Sequence, residues 1–276
     1  MLRRAGLAAP AAVLLAACVP AIANGQAPAQ PFEVRGAFDP AASGRGLAVT
    51  RVENPGGGGV VVRAPGRAPA AFPGAWSPAL DRDLLAYLDP AGIRVVRWTT
   101  GEEVARLSGP LTKPALDWPW IAYVRGGAAG GGRLEVRHLV SGARRTVARA
   151  GRAADLGRPA LRAGLVAWHV AAGRRSQLRV GPVRGRGRSR IVASSVTGLQ
   201  VNPSLANGRI LWVEHTGSVS ALRLRRVRGG PVRTLATLRG PTKILWTTAL
   251  GSRRAYATRW NTTTRRAKLI SRAWRR

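Results

Sequence analysis

A short phrase built from proline, a small residue and leucine recurs along this chain of 276 residues. The copies are SPALD at 77–81, KPALD at 113–117, RPALR at 158–162 and NPSLA at 202–206. They follow one another at about forty residues, the period at which four-stranded propeller blades repeat. Because such a unit buries its strands only against its neighbours, the repeat predicts an all-β propeller.

Three strand-like runs follow each copy of the phrase. The first run is short, apolar and aromatic, as expected of strands buried on both faces, and occurs at 84–88, 120–124, 165–170 and 210–214. In the next run apolar and charged residues alternate, which is typical of strands nearer the solvent. A third run closes each unit after a glycine-containing turn. The phrase and its three runs therefore predict four antiparallel strands per blade.

Two weaker units extend the pattern to both ends of the chain. Anchors near residues 40, 78, 114, 159, 203 and 243 predict a six-bladed β-propeller over residues 37–276. The last unit runs out of chain after its third strand. Residues 24–36 are expected to form a linker whose segment Phe32–Arg35 supplies the missing strand, because an open strand edge is unfavourable.

The second unit carries a recognisable repeat. Trp76-Ser77-Pro78 is followed by Asp81, and then by LAY at 85–87, IRV at 93–95 and TGE at 100–102. This pattern resembles the WD40-like repeat of the TolB-like six-bladed propellers of bacteria. The resemblance extends over most of residues 37–272 and implies an exported propeller with partners in the cell envelope.

The first residues are typical of an export signal. Arg3 and Arg4 precede an apolar stretch, and small residues flank a cleavage point near Ala23, so residues 1–23 are interpreted as a signal peptide. A competing interpretation makes Cys18 the lipidated residue of a lipobox. The protein is thus expected outside the cytoplasm, in the periplasm, at the cell wall or in the medium, or as a lipoprotein anchored through Cys18.

Positive charge is the second global feature. The formal net charge is +33, and residues 156–276 hold 26 Lys or Arg against one acid, Glu214. A GC-rich genome favours Arg over Lys but does not account for the shortage of acids, so the excess indicates an anionic partner. Export favours an anionic cell-wall polymer or an acidic envelope protein over nucleic acid. The candidate contacts are Arg184, Arg186, Arg188, Arg190, Arg223, Arg225, Arg226 and Arg228.

Groups able to do chemistry are scarce. The histidines His138, His169 and His215 fall in different units and form no metal-ligand motif, so they are interpreted as rim residues. Asp81, Asp83 and Asp117 are interpreted as turn-stabilising rather than as a carboxylate pair. No catalytic, cofactor-binding or metal-binding residue is predicted.

The nine tryptophans are interpreted as packing residues. Trp120, Trp168 and Trp212 are expected at equivalent strand positions. Trp76, Trp98, Trp260 and Trp274 fall outside this pattern and are expected to be exposed.

The sequence therefore favours a non-enzymatic binding or scaffold propeller of the cell envelope. Two other classes stay open, namely a propeller hydrolase or lyase acting on an envelope glycan, and an assembly or sensor module with a protein partner. The enzyme would need acids or histidines clustered around the central funnel.

Overall fold

The computed structural model describes residues 35–52, 57–126, 132–151, 153–173, 175–185 and 187–274, which form 24 β-strands. The first eight are β1 (Arg35–Ser43), β2 (Gly46–Val52), β3 (Gly59–Arg63), β4 (Ala70–Pro73), β5 (Trp76–Asp81), β6 (Leu84–Asp89), β7 (Gly92–Arg97) and β8 (Glu103–Ser108). The next nine are β9 (Leu111–Asp117), β10 (Trp120–Arg125), β11 (Arg133–His138), β12 (Arg144–Arg149), β13 (Ala154–Leu156), β14 (Ala160–Arg162), β15 (Leu165–Ala172), β16 (Arg175–Pro182) and β17 (Arg190–Ser195). The last seven are β18 (Gly198–Ala206), β19 (Arg209–Thr216), β20 (Val219–Arg226), β21 (Arg233–Arg239), β22 (Lys243–Leu250), β23 (Arg254–Asn261) and β24 (Arg266–Ala273).

The strands assemble into blades of consecutive antiparallel strands. Sheets β5–β8, β9–β12, β13–β17 and β18–β21 each form one blade, and β13 and β14 together take the place of one inner strand. The other seven strands form a single sheet in the order β22-β23-β24-β1-β2-β3-β4. The predicted propeller of four-stranded antiparallel blades is confirmed.

The number of separate blades is four, not the predicted six. The difference arises at β1, whose first residues pair in parallel with β24 and so join both ends of the chain in one sheet. In that pairing Arg35 lies opposite Arg266 and Gly36 opposite Ala267. Residues 32–34 of the predicted closing strand lie outside the described residues, so closure by that segment stays a prediction.

The predicted signal peptide, with Cys18, also lies outside the described residues. Within the part of the chain that is described, no helix has the length and hydropathy needed to cross a membrane.

The recurring phrase is the inner strand of each unit, and it carries a β-bulge. The antiparallel register shifts at the proline of the phrase in β1, β5, β9 and β18, and at the matching point of β22. The residue before the proline is left-handed in four copies, with φ of 48° at Asp39, 52° at Ser77, 57° at Lys113 and 50° at Asn202. Proline has no N–H to donate to a ladder, and a bulge is the place in a sheet that tolerates it. The phrase is thus a structural device that bends each inner strand.

The hydrophobic core lies between adjacent sheets. Five clusters each join one strand set to the next, and the runs after the phrase supply most of their side chains. The sixth cluster, at the seam between β24 and β1, contains only Phe38, Val52 and Ala267. Counting the residues from 35 onward that the structure describes, the seam therefore buries less apolar surface than the other contacts between strand sets.

Two expectations about tryptophan are wrong. Trp76, Trp98 and Trp274 are buried, with 4–5% of their surface exposed, because they pack between sheets. Trp120 is the first residue of β10, whereas Trp168 and Trp212 lie inside their strands.

Candidate functional site

The six inner strands surround a narrow central channel. Its cavity of about 70 Å³ is lined by the recurring phrase, at 40–42, 78–80, 114–116, 158–161, 203–205 and 248–250. Ligand pockets usually enclose about 300–1,000 Å³. The channel is therefore too narrow for a ligand of ordinary size, and the polar residues lie at its two mouths.

We call one end of the channel the turn mouth, where the inner strands end at Ser43, Asp81, Asp117, Arg162, Ala206 and Leu250. Arg162 Nη1 donates to Asp81 Oδ1 at 2.7 Å and lies 3.5 Å from Asp117 Oδ1. The second oxygen of Asp81 accepts the Trp118 N–H at 3.0 Å and a guanidinium N–H of Arg82 at 3.2 Å. The Asp81 side chain is only 1% exposed.

These contacts bear on the predicted acids Asp81, Asp83 and Asp117. Asp81 and Asp117 share one guanidinium, and Asp83 forms an ion pair with Arg97. Asp81 also bonds the backbone of the next blade rather than only its own turn. The carboxylates at the turn mouth therefore tie blades together, with their charge balanced by arginine.

The opposite end of the channel is the bulge mouth. It is formed by the residue before the proline of each phrase and by the matching residue of β22, namely Asp39, Ser77, Lys113, Arg158, Asn202 and Thr247. Arg158 is 9% exposed, and its guanidinium donates to the Pro78 carbonyl and lies 3.7 Å from Asp39 Oδ1. It thereby bridges β5 and β1 across the channel. Burial raises the pKa of Asp39, against the opposing effects of Arg158 and a Thr247 hydrogen bond, and burial lowers the pKa of Arg158.

His169 lies beside this mouth and is held from both sides. Its Nδ1 accepts the Asn202 N–H at 3.3 Å, which leaves the ring proton on Nε2, 3.8 Å from Asp155 Oδ2. Burial lowers the pKa of His169, while its hydrogen bond and the nearby Lys113 lower that of Asp155 to about 2. A neutral imidazole fixed in this way is a tether between blades, as is Thr50, whose Oγ accepts the Ser77 N–H at 3.2 Å.

The other two histidines lie apart from this cluster. The His215 ring lies 6.2 Å from the Trp246 ring, and burial lowers the pKa of His215 to about 4. His138 Nδ1 accepts the Ser141 N–H at 3.1 Å within a turn. Across the described ranges, no three His, Cys, Asp or Glu side chains gather in a way that could hold a metal ion.

The predicted polyanion contacts divide into two groups. Arg223 donates to Glu214 Oε2 at 2.6 Å, and Arg225 donates to the Val192 carbonyl of the neighbouring blade at 2.7 Å, so both serve structural contacts. The others are exposed on the loops after β16 and β20 or at the strand ends that border them, and among the described residues none has a carboxylate partner: Arg184, Arg188, Arg190, Arg226 and Arg228. Arg186 lies outside the described residues.

We call these five exposed residues the arginine face. The loop after β16 is bonded to the β14–β15 turn through Val183 N–H and Gly164 O at 2.8 Å, and the loop after β20 to the β18–β19 turn through Val227 N–H and Gly208 O at 2.8 Å. Both loops therefore lie at the turn-mouth end of the propeller. Arg184 is ordered by the Trp120 ring, whose centroid lies 5.3 Å from its guanidinium carbon.

The sequence analysis did not single out the arginines at the two mouths. Arg158 and Arg162 are the first and last residues of the phrase at 158–162, whereas the copies at 77–81 and 113–117 end in aspartate. Basic flanks in one repeat and acidic ends in others are a charge-complementary pattern that could have indicated contacts across the channel.

Solved structures with this architecture include TolB and parts of peptidases. TolB from Acinetobacter baumannii aligns with a TM-score of 0.55 at 14% identity, over 78% of this chain and 60% of TolB. The fold is a TolB-like β-propeller. The β-propeller domain of the Trilobed protease from Pyrococcus furiosus gives a TM-score of 0.52 at 11% identity, over 87% of this chain and 95% of that domain.

This propeller also aligns with Pyrococcus horikoshii acylaminoacyl peptidase, with a TM-score of 0.53 at 10% identity. The alignment covers 87% of this chain but only 51% of the peptidase. No protein-family model and no curated protein matches the sequence. At such low identities the likeness establishes the fold alone.

Proposed function

We propose that this protein is a non-enzymatic binding propeller of the bacterial cell envelope, which docks on an anionic polymer through its arginine face. The observation that carries the proposal is the exposure of Arg184, Arg188, Arg190, Arg226 and Arg228 at one end of the molecule without carboxylate partners among the described residues. Guanidinium groups bind phosphate and carboxylate oxygens in fixed, often bidentate geometry.

The distribution of acids supports this choice of surface. Glu214 is the only acid of residues 156–276, and Arg223 pairs with it. In the blade β5–β8, by contrast, exposed arginines such as Arg94 and Arg97 have carboxylate partners. The uncompensated charge therefore concentrates on the blades β13–β17 and β18–β21, where it attracts a polyanion.

The proposal includes a closed ring of six strand sets. Six inner strands line the channel, and the seven-stranded sheet divides naturally into β22–β24 and β1–β4. The parallel pairing of Arg35 and Gly36 with β24 supports a role for the preceding segment as the closing strand. A rigid closed ring would hold the loops of the arginine face at fixed spacing.

A place in the envelope rests on the apparent export signal at residues 1–23, with lipidation at Cys18 as the alternative mode of attachment. An acidic envelope protein is the alternative partner.

The absence of catalysis is inferred from how the polar groups of the two mouths are used. Arg162 balances Asp81 and Asp117, and the Nδ1 of His169 already accepts a backbone N–H. A hydrolase or lyase requires a free acid or base within reach of its substrate.

The first prediction concerns the Arg184→Ser, Arg186→Ser, Arg188→Ser triple variant. It should bind immobilised poly(glycerol phosphate) at least about tenfold more weakly than the wild-type protein, since each lost charge-assisted contact weakens binding. Wild-type affinity should also fall steeply with added NaCl, and the variant should give a shallower slope of log K against log salt. Surface plasmon resonance at several salt concentrations measures both quantities.

A variant of equal charge change serves as the control. Arg239→Ser, Arg259→Ser and Arg266→Ser remove three exposed cations from strands away from the two loops. If this control loses as much affinity as the loop variant, binding is a net-charge effect and the arginine face is not the site. Equal binding of wild type and loop variant would overturn the proposal.

A further inference from the structure

A second pocket lies beside the arginine face, between the blade β18–β21 and the end of β24. It encloses about 390 Å³ and is lined by Asn207, Gly208, Arg209, Arg226 and Trp274. This volume is within the usual range for small-molecule sites, unlike that of the channel. The pocket is therefore the better candidate for a discrete ligand.

The two arginines of the pocket are neighbours in the sheet. Arg209 in β19 pairs directly with Arg226 in β20, so both side chains project from the same face of the antiparallel ladder. Like charges in directly opposite positions destabilise a sheet unless a counter-charge is present. Neither guanidinium has a carboxylate partner among the described residues, so the pair lacks a counter-charge.

The indole of Trp274 completes the wall. Trp274 is 5% exposed, and its Nε1–H has no hydrogen-bond partner in the described part of the chain. The guanidinium carbon of Arg209 lies 5.3 Å from the centroid of the indole, and the backbone N–H of Trp274 donates to the Arg253 carbonyl at 3.2 Å. The ring is thereby fixed, and it orients Arg209 towards the pocket wall. The Nε1 atom is shielded from solvent, so the indole forms part of the wall and is not counted as a donor to a ligand.

The side chains of this pocket are rich in donors. Arginine nitrogens donate only, and the Asn207 amide contributes two more N–H groups. The turn Asn207-Gly208, with φ of 49° and 66°, leaves the floor of the pocket without a bulky side chain. We propose that this pocket binds a phosphoryl group, whose several acceptor oxygens and negative charge match two guanidiniums and the Asn207 amide. The group is either a free phosphate ester or the phosphate of an envelope polymer, because the contacts are the same.

Titration of the purified protein with three probes tests the proposal. Inorganic phosphate, glycerol 3-phosphate and a short glycerol phosphate oligomer are titrated by calorimetry and by tryptophan fluorescence at constant ionic strength. Wild-type protein should bind at least one probe, and both Arg209→Gln and Arg226→Gln should weaken that binding about tenfold. Preference for the monoester over the oligomer would identify a small-molecule ligand, and the reverse preference a polymer.

Two further variants control for indirect effects. Trp274→Phe keeps an aromatic ring beside Arg209, and should weaken binding by a smaller factor than loss of an arginine. Arg188→Gln removes a cation of the arginine face outside this pocket and should leave phosphate binding unchanged. Arg226 is exposed, so its substitution is compatible with folding even if that of Arg209 is not.

The outcome is separable from that of the proposed function. The phosphate site would be rejected if wild type, Arg209→Gln and Arg226→Gln bound phosphate equally. It would also be rejected if the wild-type protein bound none of the probes. The poly(glycerol phosphate) assay with the loop variant would then still decide the role of the arginine face. Conversely, a pocket that binds phosphate in a protein that ignores the polymer would retain the site and reject the docking surface.

Discussion

Among single residues, Arg158 has the most demanding environment. Its guanidinium crosses the channel from the phrase at 158–162 and shares the bulge mouth with the partly buried carboxylate of Asp39. Burial shifts both pKa values towards the neutral forms, and each residue opposes that shift in the other. Removing one partner of such a pair leaves the other charge desolvated and uncompensated.

Arg158→Met should therefore lower the free energy of unfolding by about 3 kcal/mol at neutral pH. Because the folded-state pKa of Asp39 is raised, its contribution to stability is full below its unfolded-state pKa and is lost as the pH rises through the folded value. The deficit of the variant should consequently shrink on acidification, as Asp39 becomes protonated. Urea denaturation at several pH values measures this dependence.

The double variant Asp39→Asn, Arg158→Met provides the matched control. It should recover part of the lost stability, since no charge is then left unpaired at the mouth. A single variant within about 0.5 kcal/mol of the wild type, the range of ordinary surface substitutions, would contradict this account.

Sequence patterns located these residues only in part. The recurring phrase correctly predicted the positions of the inner strands, because its proline and the β-bulge recur together. The partners of Arg158 could not be inferred from it, since Asp39 and Pro78 meet Arg158 only when the ring brings distant repeats together. The burial of Trp274 was not predicted for a similar reason, because this residue outside the repeat contacts the start of β23 and the β18–β19 turn only in the folded chain.

Among the elements, the contact between β1 and β24 differs from all the others. It is parallel, and within the described residues it joins Arg35 to Arg266 and Gly36 to Ala267 and is backed by a cluster of three residues. The strand runs themselves were predictable from their apolar and alternating patterns. The segment Phe32–Arg35 was predicted to complete the last unit, and its residue Arg35 pairs with β24, whereas residues 32–34 lie outside the described residues.

Gly36→Ala should weaken this seam. Gly36 has φ of +105°, and a Cβ at this position would lie 2.1 Å from the carbonyl oxygen of Ala267. The variant should lose about 2 kcal/mol or more of stability from backbone strain together with the lost strand pairing. Amide hydrogen exchange should accelerate at residues 35–36 and 266–267 before it does in β5–β8.

Gly44→Ala separates the two causes. Gly44 also has a positive φ, +58°, but a Cβ there meets no atom within 4 Å. This control should lose about 1 kcal/mol, from the left-handed conformation alone. If both variants lost the same free energy of unfolding, the effect of Gly36→Ala would come from the left-handed backbone conformation alone and the seam would contribute nothing.

At the scale of the whole molecule, charge is distributed unevenly around a symmetric scaffold. Residues 1–155 hold 11 of the 12 acids, and several of them pair with arginine in β5–β8 and at the turn mouth. The later blades keep the same backbone architecture with almost no acids. Fold and charge thus vary independently along the repeat, which is how a common scaffold acquires a surface of its own.

The net charge of +33 should make the folded protein less stable at low ionic strength. Raising NaCl from about 20 mM to about 500 mM shortens the Debye length from roughly 20 Å to about 4 Å and screens the repulsion among the later blades. The melting temperature should rise by about 2–4 °C for each kcal/mol regained, for a chain of this length. Exposed ion pairs such as Arg94–Glu103 weaken as well, but such pairs contribute little, so the net effect should be stabilising. Differential scanning calorimetry in NaCl measures the change, with glucose at equal osmolality as the uncharged control. A melting temperature that stays level or falls in NaCl would show that the charges are already neutralised within the fold.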